Sequence, residues 1–194
     1  MSAENIARSP TGFMLLLAFC CSLLLMFTRA SIGERAEVSL RSIDALLQIA
    51  GAEILPVEEQ LLEHFDRMFV RRTGGRIKLW QGIARPDLWA CEATGNGMWA
   101  EITLVFIYDK TSGQLQGLRV VDQNETAGLG SLITDEAFTD QFAGITARQG
   151  VALAAARVMS NQFDAVTGAT TSSRAVEKLL NRAMQQLHAI WGSQ

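Results

Sequence analysis

The sequence predicts an α+β domain, in which a small antiparallel sheet is packed with helices, preceded by one N-terminal transmembrane helix. Residues 98–109 and 115–122 are rich in β-branched and aromatic side chains, and the turn-forming KTSG between them predicts an antiparallel hairpin. Near the C-terminus, apolar residues recur three and four positions apart, which is typical of an amphipathic helix. The chain of 194 residues has the length of one ordinary domain with a short addition.

The short addition is an uncharged run at residues 9–28, bracketed by Arg8 and Arg29. As a helix it would span roughly 30 Å, about the thickness of the bilayer hydrocarbon. A cleaved signal peptide is the alternative, but its apolar region is usually only about 7–15 residues long. We therefore expect a retained membrane anchor over residues 1–30, a helical lead-in over 31–73 and the main domain over 74–194.

The remaining elements follow from periodicity. Apolar spacing predicts helices over residues 34–50, from Pro56 as far as Phe69, over 135–142, and from about Ser172 to Trp191. The alternating RIKLWQ at residues 76–81 predicts one further strand. The domain is thus expected to contain few strands, covered by helices.

Charge and cysteine content exclude several classes of function. The chain holds 17 Lys and Arg against 20 Asp and Glu, a formal net charge of −3. It has no basic run, so no nucleic-acid partner is expected. Beyond the anchor it has one cysteine, Cys91, and the whole chain has two histidines. With neither a CxxC nor an HExxH motif, neither a disulfide nor a metal site is predicted.

A cluster of hydroxyl side chains opens the predicted final helix, where residues 164–173 read DAVTGATTSS. The first turn of a helix has unpaired N–H groups and the positive end of the helix dipole, which favour an anion such as phosphate. A hydroxyl there can bind a phosphate or carry one covalently. An N-cap with surplus Ser and Thr is the alternative, because these residues are common at helix starts. The residues alone leave both interpretations open.

The segment DAVTGAT resembles the flavinylation motif D-x-x-[ST]-G-A-[ST] of the FMN-binding domain family. That family includes the G subunit of the Rnf ferredoxin–NAD oxidoreductase complex and the C subunit of the sodium-pumping NADH:quinone reductase. The resemblance implies that FMN is joined to Thr170 through a phosphoester. It also implies attachment by a flavin transferase that uses FAD and magnesium and recognises the rest of the motif, at Asp164, Thr167, Gly168 and Ala169.

Two further segments resemble the same family. ETAGLG at Glu125–Gly130 is similar to the family's E-T-P-G-L-G loop, with Ala127 in place of proline. GNGMW at Gly95–Trp99 resembles its G-x-G-x-W entry into a strand. The resemblance extends over about Gly75–Ala189, so it covers most of the predicted main domain.

The three segments are predicted to form one flavin site. An isoalloxazine ring needs apolar surfaces and a few placed polar groups, and the residues that supply them are expected to be Met98, Trp99, Glu125, Thr126, Gly128, Leu129 and Gly130. Simpler interpretations exist for several of these. Trp99 can be a core residue at the start of a strand, the glycines can merely form a turn, and Glu125 can be a solvated loop charge.

The expected function is a membrane-anchored flavoprotein that relays electrons through covalent FMN in an Rnf-type, ion-translocating oxidoreductase complex. No side chain is expected to act as a catalytic acid or base, because the flavin carries the redox chemistry. The expected partners are the other subunits of the complex, the flavin transferase and membrane lipid. The C type of the sodium pump, a free-standing flavoprotein serving another reductase, and a reversible binder of a phosphorylated ligand are the alternatives.

Two signals disagree about the side of the membrane on which the main domain lies. One basic residue, Arg8, precedes the apolar run, whereas Arg29, Arg35 and Arg41 follow it, so the positive-inside rule would keep the domain cytoplasmic. That rule is weak for long translocated domains. The family resemblance implies the periplasmic face of a bacterial inner membrane, and this is the side that we expect.

Overall fold

The computed structural model of the protein describes residues 10–32, 39–52, 58–73, 77–155 and 157–192. Contacts divide the chain into two units, Met1–Val38 and Ser39–Gln194. The first unit contains helix α1, Pro10–Ile32. Among the described residues, no helix meets the combined length and hydropathy of a membrane span. The start of the expected anchor, residues 1–9, lies outside the described residues, and the anchor stays a prediction.

The second unit is an α+β domain, as predicted. Its elements are α2 (Leu40–Ile49), α3 (Glu58–Met68), β1 (Phe69–Arg72), β2 (Lys78–Gly82), β3 (Leu88–Asn96), β4 (Glu101–Asp109), β5 (Gln114–Asp122), α4 (Glu136–Thr139), β6 (Ala152–Ala154), β7 (Gln162–Asp164) and α5 (Thr170–Gly192). Short 3₁₀ helices at Gly130–Thr134 and Asp140–Phe142 flank α4.

The main sheet has five antiparallel strands in the order β1-β2-β3-β4-β5, and β6 pairs with β7 in a separate parallel ribbon. The predicted hairpin is confirmed as β4–β5, although β4 begins at Glu101 and not at Met98. The prediction missed β1 because Phe69 continues the apolar spacing of the helix before it. It also missed β3, whose small residues Ala90, Ala93 and Gly95 are weak strand formers.

Helices cover both faces of the sheet. Gly95 of β3 pairs with Ile102 and approaches Leu179 of α5. Gly117 of β5 pairs with Ile107 and approaches Ile49 of α2. Successive side chains of a strand point to opposite faces, so residues 102 and 107 of β4 face different layers. The sheet therefore lies between α5 on one side and α2 on the other.

Helix α5 is fixed to the sheet by the apolar positions that the sequence predicts. Val176, Leu180 and Leu187 are fully buried in the main core. Burying a leucine side chain stabilises a fold by about 1.5–3 kcal/mol, so these contacts hold the helix firmly. Its start lies two residues before the predicted Ser172, at Thr170. The first turn of α5 is thereby held at a defined place beside the loops that end β3 and β5.

The other end of α5 packs in an aromatic cluster. Trp191 stacks on Tyr108 and meets Trp89 edge to face, with ring centroids 5.7 and 5.6 Å apart. The pKa of His188 in this cluster is lowered, mainly by burial and to a smaller extent by the positive charge of Arg148. Burial also raises the pKa of the Cys91 thiol in the sheet. The helix is therefore anchored at its far end by aromatic packing, well away from its first turn.

Candidate functional site

The segment ETAGLG forms a tight turn. The backbone N–H of Leu129 donates to the carbonyl of Thr126 at 3.2 Å, and Gly128, the third residue of the turn, has φ 71°. Ala127 does not have positive φ. This combination is the type II turn, which favours glycine at its third position. The serine after the loop reinforces it, because the Ser131 hydroxyl accepts the N–H of Gly128 at 3.0 Å.

The segment VTGA before α5 repeats this geometry. The N–H of Ala169 donates to the carbonyl of Val166 at 2.9 Å, and Gly168 has φ 78°. The two turns touch, since a Cβ on Gly168 would lie 3.2 Å from Cδ2 of Leu129. Two sequence motifs about 40 residues apart thus meet through their glycine turns.

The hydroxyl cluster separates into two groups. Ser172 and Ser173 are buried, and both hydroxyls serve the fold. Ser173 donates to the carbonyl of Ala169 at 3.0 Å and accepts the N–H of Val166 at 3.0 Å, which caps the helix start. The remaining three, Thr167, Thr170 and Thr171, are exposed. Within the described part of the chain, no hydrogen bond engages the hydroxyl of Thr170 or Thr171.

A buried carboxylate joins the three motifs. Glu125 is only 8% exposed, so its interpretation as a solvated charge is wrong. Its Oε1 accepts the backbone N–H groups of Met98 at 2.8 Å and Trp99 at 3.2 Å. Its Oε2 accepts the Ser172 hydroxyl at 2.7 Å. Residues from GNGMW, ETAGLG and the start of α5 therefore converge on one side chain.

A cavity of about 210 Å³ lies at this junction. Its lining residues are Met98, Trp99, Glu125, Thr126, Leu129, Gly130, Gly168, Ala169, Thr171 and Ser172. Trp99 is 69% exposed and follows the end of β3, so the alternative interpretation of Trp99 as a core residue at a strand start is wrong. Met98 and Leu129 are also about half exposed. The cavity thus has an apolar rim open to solvent and a polar floor.

Four predicted residues do not line this cavity. Gly128 forms the turn beside it, and Thr170 is the exposed first residue of α5. Thr167 lines a neighbouring cavity of about 310 Å³ together with Leu132 and Phe138.

The fourth, Asp164, ends β7, where its carboxylate pairs with Arg157 at 3.3 Å. The amide of Gln141 holds the backbone of Asp164 from the other side. Gln141 Oε1 accepts the Asp164 N–H at 2.8 Å, and Gln141 Nε2 donates to the Asp164 carbonyl at 3.3 Å. No local pattern marks Gln141 or Arg157, which is why the sequence analysis missed both.

The substitution of Ala127 for the family's proline gives a testable prediction. Proline suits the second position of a type II turn, and no described residue accepts the N–H of Ala127. We expect Ala127→Pro to raise the free energy of unfolding by about 0.4–1 kcal/mol, measured by urea denaturation.

The matched control is Ala143→Pro, at the second position of a further turn of the same form, in which Gly144 is the third residue with φ 77° and the N–H of Ile145 donates to the carbonyl of Phe142 at 3.3 Å. There the N–H of Ala143 donates to the carbonyl of Asp140 at 3.2 Å, so proline should destabilise the chain. A loss of stability in Ala127→Pro would show that the ETAGLG turn differs from type II.

Comparisons with known proteins bear on the same region. A family model described as the FMN-binding domain matches residues 97–185. No curated protein sequence matches the chain.

Two solved structures share the fold. One is the C subunit of the Na(+)-translocating NADH-quinone reductase from Parabacteroides distasonis, with TM-score 0.62 and 14% identity over 76% of this chain and 89% of that chain. The other is NqrC from Shewanella oneidensis, with TM-score 0.59 and 14% identity over 74% and 94%. At this identity the two structures establish a common fold and nothing finer.

The matched residues begin at Gly97 and end in α5, so they include the two glycine turns, the cavity and the carboxylate that joins them. The resemblance seen in the three sequence motifs is confirmed. The chain carries, over residues 97–185, a domain of the FMN-binding domain family.

Proposed function

We propose that this protein is an electron-transfer flavoprotein subunit that carries FMN covalently, through a phosphoester to Thr170. The observation that carries the proposal is the position of Thr170. Thr170 is the first residue of α5 and directly follows the turn that borders the cavity. The residue is exposed, its hydroxyl makes no hydrogen bond to a described residue, and it lies within an FMN-binding domain.

The start of α5 fits the phosphate. The first turn of the helix contains no acidic residue, and among the described residues no backbone carbonyl accepts the N–H of Thr170 or Thr171. Unpaired N–H groups and the positive end of the helix dipole together stabilise an anion. A phosphate on the Thr170 oxygen would lie against these donors.

The cavity fits part of the flavin ring. Sites that enclose a whole ligand usually measure about 300–1,000 Å³, and this one is smaller at about 210 Å³. Met98, Trp99 and Leu129 provide apolar surface for one side of the ring, and the exposed residue Thr126 provides a hydroxyl for its edge. A ring held in this way keeps one edge accessible to a redox partner.

FMN and the protein have separate roles in the proposed electron transfer. When bound, FMN supplies the capacity to accept and release electrons, and the protein supplies position and electrostatics. The threonine hydroxyl holds the phosphate end, and the rim orients the ring and excludes water from one of its faces. No side chain at the cavity is assigned a proton-transfer role. Attachment belongs to a flavin transferase that uses FAD and magnesium.

The wider setting is part of the proposal. We place the domain on the periplasmic side of a bacterial inner membrane, held by an anchor over residues 1–30, within an Rnf-type complex. The C type of the sodium pump is the second candidate, because two solved structures of the same fold carry that name. A free-standing anchored flavoprotein shares the cofactor and differs only in its partners.

The test is to express the full chain with a flavin transferase that is either exported to the periplasm or retained in the cytoplasm. We expect a fluorescent flavin band that survives SDS, in the membrane fraction, only with the exported enzyme. A band obtained only with the cytoplasmic enzyme would overturn the periplasmic placement. The absence of a band in every combination would contradict covalent attachment and favour a reversible binder.

A further inference from the structure

The turn between β3 and β4 is held by a residue outside the hairpin. The N–H of Gly97 donates to the carbonyl of Ala100 at 2.7 Å, so Met98 and Trp99 are the two central residues of the turn. Two-residue hairpins favour turns with positive φ at a central position, but neither of these residues has positive φ. Their N–H groups are both accepted by Oε1 of Glu125. A carboxylate from the ETAGLG loop therefore completes this turn.

The second oxygen of the same carboxylate reaches the opposite wall of the cavity. Oε2 of Glu125 accepts the hydroxyl of Ser172, which is 2% exposed in the first turn of α5. The surroundings leave little space, because a Cβ on Gly97 would collide with Oε1 of Glu125, and a Cβ on Gly130 would lie 2.6 Å from the Ser172 hydroxyl. The carboxylate is thus confined by three hydrogen bonds and close backbone.

We propose that Glu125 is a positioning residue with two effects. It builds the cavity by fixing the Met98–Trp99 turn to the start of α5, and its negative charge lowers the reduction potential of a flavin held there. The carboxylate only accepts hydrogen bonds, which is the pattern of the ionised form. Because the Glu125 carboxylate is buried in the cavity lining, solvent screens its negative charge little. Adding an electron to a flavin beside this charge is therefore less favourable. The second effect rests on the proposed function, whereas the first does not.

The first effect is tested on the full chain without flavin, by hydrogen–deuterium exchange over the peptide that contains Met98 and Trp99. Hydrogen bonds to a charged group are strong enough that Glu125→Ala should speed exchange about tenfold or more. Glu125→Gln should stay within about threefold of the wild type, because its amide oxygen still accepts both N–H groups and Ser172 can rotate to accept from its NH₂. Glu59→Gln, an exposed glutamate on α3, is the control and should change nothing.

Unchanged exchange in Glu125→Ala would overturn the positioning role. If that variant does not fold, Glu125→Asp replaces it. The shorter side chain keeps the charge but cannot reach both Ser172 and the turn, so exchange should again be faster. Wild-type exchange in Glu125→Asp would equally contradict the proposal.

The second effect is tested by spectroelectrochemical titration of the flavin-loaded chain. Glu125→Gln should shift the midpoint potential to a more positive value, and Glu59→Gln should not, since Glu59 is exposed on α3 and does not line the cavity. A wild-type potential in Glu125→Gln would overturn the electrostatic effect. If the chain never acquires flavin, the proposed function fails instead, and the exchange experiment still decides whether Glu125 positions the turn.

Discussion

Thr170→Ala is expected to abolish the flavin band that survives SDS, while the domain stays folded. The substitution removes one exposed hydroxyl from the helix start. Because this hydroxyl makes no hydrogen bond within the described residues, its loss should not affect the fold. Surface substitutions of this kind usually change stability by no more than about 0.5 kcal/mol. In-gel fluorescence and the intact mass of the purified chain measure the attachment, and urea denaturation measures the fold.

The controls for this experiment come from the same helix turn. Thr170→Ser keeps a hydroxyl at the acceptor position and should keep covalent flavin. Thr171→Ala removes the neighbouring exposed hydroxyl, which lines the cavity, and should also keep it. Loss of the band in Thr171→Ala, with retention in Thr170→Ala, would move the attachment point by one residue.

Gly130→Ala is expected to disturb the cavity strongly, although it adds only one methyl group. Gly130 has no positive φ, so the effect is steric. The new Cβ would lie 2.6 Å from the Ser172 hydroxyl and 2.9 Å from Cβ of Glu125, and both side chains are buried. Overpacking of this kind typically costs about 1–3 kcal/mol of stability. The Glu125–Ser172 hydrogen bond should lengthen, which should change the absorption spectrum of the attached flavin.

The matched control is Gly144→Ala. Gly144 has φ 77°, and a Cβ added there would meet nothing within 4 Å, so alanine introduces backbone strain without a clash. Both variants should lose stability in urea denaturation, but only Gly130→Ala should change the flavin spectrum. A wild-type spectrum and stability in Gly130→Ala would show that Glu125 and Ser172 can move apart without consequence.

Local patterns were enough to predict part of this fold. The β4–β5 hairpin follows from β-branched and aromatic residues around a turn sequence, and α5 follows from apolar spacing over several turns. Each of these two patterns lies within its own continuous segment of the sequence. The strand β3 gave no such signal, because it lies under α5, where close approach requires small residues such as Gly95. Its small side chains are a consequence of packing that the segment itself does not show.

The sequence by itself determined the family of residues 97–185, the glycine positions of the two turns and the presence of a helix that begins within two residues of the predicted Ser172, since each depends on neighbouring residues. Only the tertiary structure decided which hydroxyls are free and which serve the fold. It also decided that Trp99 is exposed and that Glu125 is buried against Ser172, 47 residues away. Periodicity reports which side of one element is apolar, whereas a hydrogen bond between distant segments exists only after the core has brought them together.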